Sequence, residues 1–214
     1  MHRAVAFARR PCYDGDTAPR RTDPVRPWGA DGKKEGLQSM KKAVCFGDSN
    51  TWGYDPRDVL GGRYPPEARW PERLAELSGW EVRGAGINGR TIPMGAARPL
   101  AVKEIGQAEL VFIMLGTNDR RFLSYGTPER VGERMDGFLR FLREALPETE
   151  LWLIAPPGDL GPVYRPLAEK YGAGFSDAEG WDLPLAYDGL HLSEEGQRRF
   201  ADCLYTDLRT AGLV

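Results

Sequence analysis

Histidine is nearly absent from these 214 residues, with His2 and His191 the only two. Chemistry that needs an imidazole must therefore use His191, because His2 lies in an irregular N-terminal stretch. Cysteine is scarce too. Cys12, Cys45 and Cys203 are odd in number and widely separated, and they form no CxxC pair and no Cys/His cluster at metal-ligand spacing. That usage fits a reducing, cytoplasmic setting, and no metal is expected. Long apolar runs are also missing: a bilayer span needs roughly 18 to 20 residues, and the longest candidate here is residues 110–115. A soluble protein without membrane contact is expected. Charge of one sign is lacking as well, since charged residues make up 28% and the net charge is -2. No strong field draws the chain to nucleic acid or anionic lipid, which leaves a neutral or small-molecule ligand. There is no GxxxxGK[ST] and no HExxH, so neither P-loop nor zinc-protease chemistry has support.

The first forty residues differ from the rest. They are rich in Arg, Pro, Asp and Gly and show no apolar periodicity beyond residues 4–8, so residues 1–40 are expected to be a disordered extension and residues 41–214 the single domain. Arg9 and Arg10 interrupt any secretory apolar core, and Asp14, Asp16, Asp23 and Asp31 argue against a mitochondrial presequence. Met40 is a candidate alternative start, because a compact fold beginning at Lys41 is complete without what precedes it.

From Lys42 onward short apolar runs alternate with amphipathic stretches, the pattern of βα units and a parallel sheet. Five strands are expected, at residues 43–46, 80–83, 110–115, 151–155 and 174–176. One helix opens at Pro71 and stops at Gly79; another opens at Thr127 and Pro128 and runs to about Leu146. Weaker helical patterns cover 100–107 and 163–171, and Ser193 with Glu194 and Glu195 starts a final helix ending near Gly212. Ligands of such sheets bind where loops leave the carboxyl ends of strands. The polar stretches Gly47-Asp48-Ser49-Asn50, Gly86-Ile87-Asn88-Gly89, Gly116-Thr117-Asn118-Asp119 and Asp188-Gly189-Leu190-His191 all fall there.

Asp188, three residues before His191, can bond one ring nitrogen and turn the other outward, as the acid does in a Ser-His-Asp arrangement. A local cap before the final helix is the plainer reading. Ser49 stands at a strand-to-helix transition and needs a neighbouring base to become a nucleophile; alone it is equally a helix N-cap. Asp48 reads as a structural acceptor in the same turn. Asn118 offers an amide, and Gly89 and Ser49 offer backbone N–H groups, as oxyanion donors, against the alternatives of an Asx turn and a positive-φ turn glycine.

GDSNTWGY at residues 47–54, AGINGRT at 85–91, GTND at 116–119 and DGLH at 188–191 together resemble, in order and spacing, the four sequence blocks of SGNH (GDSL-like) hydrolases. The likeness covers residue 40 to the end and is greatest to small bacterial arylesterases and acyltransferases, in which Trp-Gly follows the nucleophile and Arg-Trp opens the next helix, as Trp52-Gly53 and Arg69-Trp70 do here. It implies a three-layer α/β/α flavodoxin-like fold, a triad of Ser49, Asp188 and His191, and an oxyanion hole of Ser49, Gly89 and Asn118, with Gly86 the other second-block candidate. It also implies a small acyl ester as substrate, no cofactor, and by analogy a homo-oligomer.

Trp52, Tyr54, Trp70 and Trp181 are candidates for an acyl or aryl pocket, each also readable as core, with Trp52 and Tyr54 nearest the nucleophile. Gly84 to Gly89 matches GxGxxG, but Pro93 and Gly95 follow where a phosphate-binding helix should open, so nucleotide binding is set aside. Short loops after the strands leave little room for a lid and favour short acyl groups. A base that must be neutral implies activity rising with pH through about 6 to 7.5. A non-catalytic domain that binds acylated ligands is the alternative of a different class.

Overall fold

The structure, a computed structural model, describes residues 40–58, 60–122 and 126–214. The expectations for residues 1–39, including His2 and Cys12, lie outside it.

Period-2 alternation in the central strands builds the layers. In β1 (Lys42–Gly47), Ala43 and Cys45 face one side of the sheet while Val44 and Phe46 face the other. β3 (Leu110–Met114) and β4 (Glu150–Ala155) divide the same way, with Leu110, Phe112, Met114, Trp152 and Ile154 on the first side. Over that side pack α2 (Trp70–Ser78) and α7 (Glu194–Thr210), contributing Trp70, Leu74, Phe200 and Leu204. Over the other pack α3 (Ala97–Ile105), α5 (Pro128–Ala145) and α6 (Gly161–Lys170), contributing Ile105, Phe138, Leu142 and Tyr164. The result is the expected three-layer α/β/α arrangement. Strands buried on both faces read as continuous apolar runs, which is why β3 and β4 were plain in the sequence.

All pairings are parallel, and the strand order is β2-β1-β3-β4-β5, with β2 (Glu81–Gly86) and β5 (Gly174–Asp177) at the edges. This is the flavodoxin-like order, whose direction reverses between β1 and β3. Loops leaving those two strands therefore diverge and open a crevice between the segments after Gly47 and Met114.

Helix ends follow the expected signals. Pro71 lies in the first turn of α2, and Gly79 closes it in the left-handed region. Thr127 caps α5 by accepting the Arg130 N–H, and Ser193 caps α7 by accepting the Gly196 N–H. Three differences stand out. β2 begins and ends later than residues 80–83, because its place is set by pairing with β1, Gly47 opposite Gly86, and not by its own half-exposed side chains. Gly84 and Gly86 thus belong to a strand, not a loop. Two short helices, α1 (Ser49–Trp52) and α4 (Thr117–Phe122), are too brief to show helical periodicity. The segment after α1 is no short link: residues 54–58 and 60–63 belong to a bracket closed by a Tyr54–Arg63 bridge, by the Asp55 N–H donating to Gly62 O and by the Tyr64 N–H donating to Gly53 O.

Candidate active site

Ser49 is the first residue of α1, and the N-cap position is held by Asp48, whose Oδ1 accepts the Asn50 N–H at 3.0 Å. The serine hydroxyl is thereby left out of capping. Its Oγ lies 3.0 Å from His191 Nε2, and His191 Nδ1 lies 2.5 Å from Asp188 Oδ2. Asp188 Oδ1 accepts the backbone N–H groups of both Leu190 and His191 at 3.0 Å. One carboxylate therefore shapes the turn and orients the ring, so the capping reading and the orienting reading of Asp188 hold together. Burial pushes the Asp188 carboxyl up, but the His191 ring bond and the two N–H groups outweigh it and hold the group below the usual carboxylate range.

The nucleophile and base segments are tied independently of those side chains. Asn50 Oδ1 accepts the Leu192 N–H at 2.8 Å, Gln197 Nε2 donates to Asn50 O at 2.9 Å, and Gln197 Oε1 accepts the Trp70 N–H at 3.1 Å. Asn50 and Gln197 were missed in the sequence, because nothing in an isolated Asn or Gln marks a buried cross-link between distant segments. The bracket adds a further tie, with Tyr187 Oη donating to Pro56 O at 2.6 Å. It also brings the Tyr54 ring to 4.6 Å from the His191 ring, tilted by 52°. Tyr54 thus borders the site. Trp52 lies a step further out, its ring 6.5 Å from Tyr54 and under the Arg63 guanidinium. Trp70 and Trp181 are core residues packed on Phe200, which settles their alternative reading.

Across the crevice, Asn118 occupies α4 rather than a free turn, and its Nδ2 donates to Arg90 O at 2.8 Å. A primary amide carries two N–H bonds, so one remains for a ligand. The two second-block glycines differ sharply. Gly86 ends β2 against the backbone of α1, where an added Cβ would come within 2.1 Å of Trp52 N. Gly89 sits in an exposed turn at φ 73°, with nothing near its Cβ direction, and its N–H has no protein partner among the described residues. The N–H of Ser49 is likewise unpartnered among them. No helix follows Gly89 until Ala97, in keeping with the rejection of a dinucleotide fingerprint.

Beneath the site lie two buried carboxyls. Asp48 is 1% exposed, and burial pushes it up to about 7, with the Asn50 N–H pulling down and the nearby Asp119 charge adding to the rise. Asp119 is raised by burial against the Ile92 N–H and the Arg134 guanidinium, which its two oxygens accept at 3.0 and 3.2 Å. Among the described residues no cluster of His, Cys, Asp or Glu could hold a metal ion, and no helix is long and apolar enough to cross a membrane.

Among solved structures the chain is similar to a protein described as a candidate arylesterase from Agrobacterium tumefaciens str. C58, at 32% identity and TM-score 0.68, over 80% of this chain and 99% of that one. It is also similar to a carbohydrate acetylesterase family member from Sinorhizobium meliloti, at 26% identity and TM-score 0.70, over 80% and 98%. A curated relative, lipoprotein YqeF of Bacillus subtilis (strain 168), described as uncharacterized, is 34% identical over 113 residues, 50% of this chain and 44% of that protein. The chain thus matches less than half the length of that relative. Residues 45–199 match the GDSL-like Lipase/Acylhydrolase family, and with the fold described above this places the chain in that family.

Proposed function

We propose that this chain is a serine esterase that hydrolyses short acyl esters, acetyl above all, of aryl or alkyl alcohols or sugars, by way of an acyl-enzyme. The observation that carries the reading is the continuous chain of contacts from Ser49 Oγ through His191 to Asp188, 3.0 and then 2.5 Å. His191 Nε2 takes the Ser49 proton as Oγ bonds to the ester carbonyl carbon. The oxyanion so formed accepts hydrogen bonds from the N–H groups of Ser49 and Gly89 and from the free N–H of Asn118 Nδ2. The bond to the leaving oxygen then breaks, and the alcohol departs with the proton from His191. Water attacks the acyl-enzyme with His191 again as base, and acyl transfer follows if an alcohol replaces water. Each oxyanion donor contributes about 3 to 4 kcal/mol to such a barrier. The scheme uses no cofactor. The descriptions of the Agrobacterium and Sinorhizobium relatives support the aryl and sugar ester classes.

The test is hydrolysis of p-nitrophenyl acetate by wild type, Ser49→Ala and His191→Ala. A loss of about a thousandfold or more in both variants, with circular dichroism unchanged, is expected. Activity equal in all three would overturn the assignment, and uniform inactivity on short and long esters would favour the ligand-binding alternative. A nitrophenyl ester series tests acyl length: turnover should fall as the acyl chain grows, and a preference beyond about eight carbons would refute the short-acyl reading.

A further inference from the structure

Arg90 has no part in the reaction just described, yet it ties the Gly89 loop to the ends of β1 and β2, to α3 and to Asn118 of α4. Its Nη1 donates to Ala85 O at 2.6 Å and Gly47 O at 3.3 Å, the carbonyls at the carboxyl ends of β2 and β1. Its Nη2 contacts both oxygens of Glu104 on α3, at 2.8 and 2.7 Å, and the guanidinium lies 4.1 Å from the centre of the Phe46 ring. The side chain is only 10% exposed. Its backbone points the other way: Arg90 O accepts Asn118 Nδ2, and the Arg90 N–H closes the turn that contains Gly89 by donating to Ile87 O at 3.1 Å. The flanks of this loop are fastened by the Ile87 N–H on Gly47 O and the Ile92 N–H on Asp119 Oδ2.

We propose that Arg90 is a positioning residue for the oxyanion site, fixing the Gly89 N–H and the Asn118 amide relative to Ser49; this rests on the esterase reading above. One guanidinium grips the strand that carries the nucleophile, two residues before Ser49, while the same residue's carbonyl holds the amide donor. A planar fork with five donors can reach two carbonyls and a carboxylate at once, which a lysine ammonium cannot do with the same directionality. Donors misplaced by about 1 Å stabilise a transition state far less while ground-state binding changes little. The loss should therefore fall on kcat.

The experiment compares wild type, Arg90→Ala, Arg90→Lys and Glu104→Gln. It measures kcat and KM on p-nitrophenyl acetate, the affinity of phenylboronic acid as a tetrahedral mimic, and the side-chain amide NMR signals of Asn118. In Arg90→Ala, kcat should fall about 10- to 100-fold with KM within about threefold, and boronate affinity should fall in step. Added guanidinium should restore part of the rate, and the Asn118 signals should shift. Arg90→Lys should lie between Arg90→Ala and wild type, and Glu104→Gln should lose about threefold or more in kcat. Wild-type kcat with unmoved Asn118 signals in Arg90→Ala, or in Glu104→Gln if Arg90→Ala does not fold, overturns the proposal. Inactivity of wild type on every ester would refute the esterase reading, and the Asn118 signals would then decide the role of Arg90 on their own.

Discussion

Asp48 and Asp188 are the acids of the turns beside the nucleophile and base, and they are expected to respond to pH in opposite senses. Asp48 holds its proton up to about 7 because it is buried, so its folded form binds more protons than its unfolded form between about pH 4 and 7. Stability should fall with rising pH across that window. Asp48→Asn keeps an oxygen for the Asn50 N–H and removes the titration. The two proteins should melt within a degree or two of each other at pH 4.5, and the variant should melt several degrees higher at pH 7.5. A gap that does not change with pH would refute this. Asp188, held below its ordinary value, contributes stability that is present above about pH 4 and lost as pH falls through the lowered value, so it stays ionised through the neutral range. Asp188→Asn can still accept the Leu190 and His191 N–H groups, yet presents an amide to the ring. It should keep its melting temperature within a few degrees and lose about a thousandfold or more in kcat on p-nitrophenyl acetate. Ser49 and Asn118 were legible because their blocks directly follow β1 and β3, whereas Asp188 and His191 lie well beyond β5, just ahead of α7, and were marked by their own three-residue spacing. Which glycine packs against α1 and which lies in an open turn was not legible, because a motif gives order along the chain and not the surroundings of each residue.

The glycines show the same at the scale of elements. Gly86 lets the backbone of α1 lie against the end of β2, and Gly86→Ala must push α1, and Ser49 with it, off the sheet. Activity on p-nitrophenyl acetate should drop at least tenfold, and the melting temperature by several degrees. Gly89→Ala meets no atom but forces a left-handed alanine, at a cost of about 1 kcal/mol, and it keeps its N–H. It should remain within about tenfold of wild type. If Gly89→Ala proved the more damaging to the fold, the packing assignment would be wrong. The bracket closed by the Tyr54–Arg63 bridge was beyond reach of the sequence for a related reason. It is held by turn bonds and by one tyrosine hydroxyl from a distant loop, interactions with no period, whereas the strands and long helices announce themselves by repeating every 2 or 3.6 residues.

For the molecule as a whole, the crevice draws on segments from one end of the described chain to the other: Ser49 after β1, Asn118 after β3, and His191 just before α7. α7 packs along α2 on one face of the sheet, sharing Trp70, Leu74, Phe200 and Leu204 in a single apolar cluster. Leu192, next to the base, is buried in that same cluster, which ties the base loop to it. Heating should therefore abolish activity and helical circular dichroism in one coincident transition. Activity lost well before the helices would mean that the loop opens on its own.

The Asn50 cross-link has a practical meaning for the study of this protein. The segment after the nucleophile is moored to the segment after the base through the Leu192 backbone N–H and the Gln197 amide, so the moorings do not involve Ser49 Oγ or the imidazole. Deleting the hydroxyl should leave an inert mould of the working enzyme. Soaked with cell extract, that mould would retain its ester uncleaved, and the captured molecule would itself identify the natural substrate.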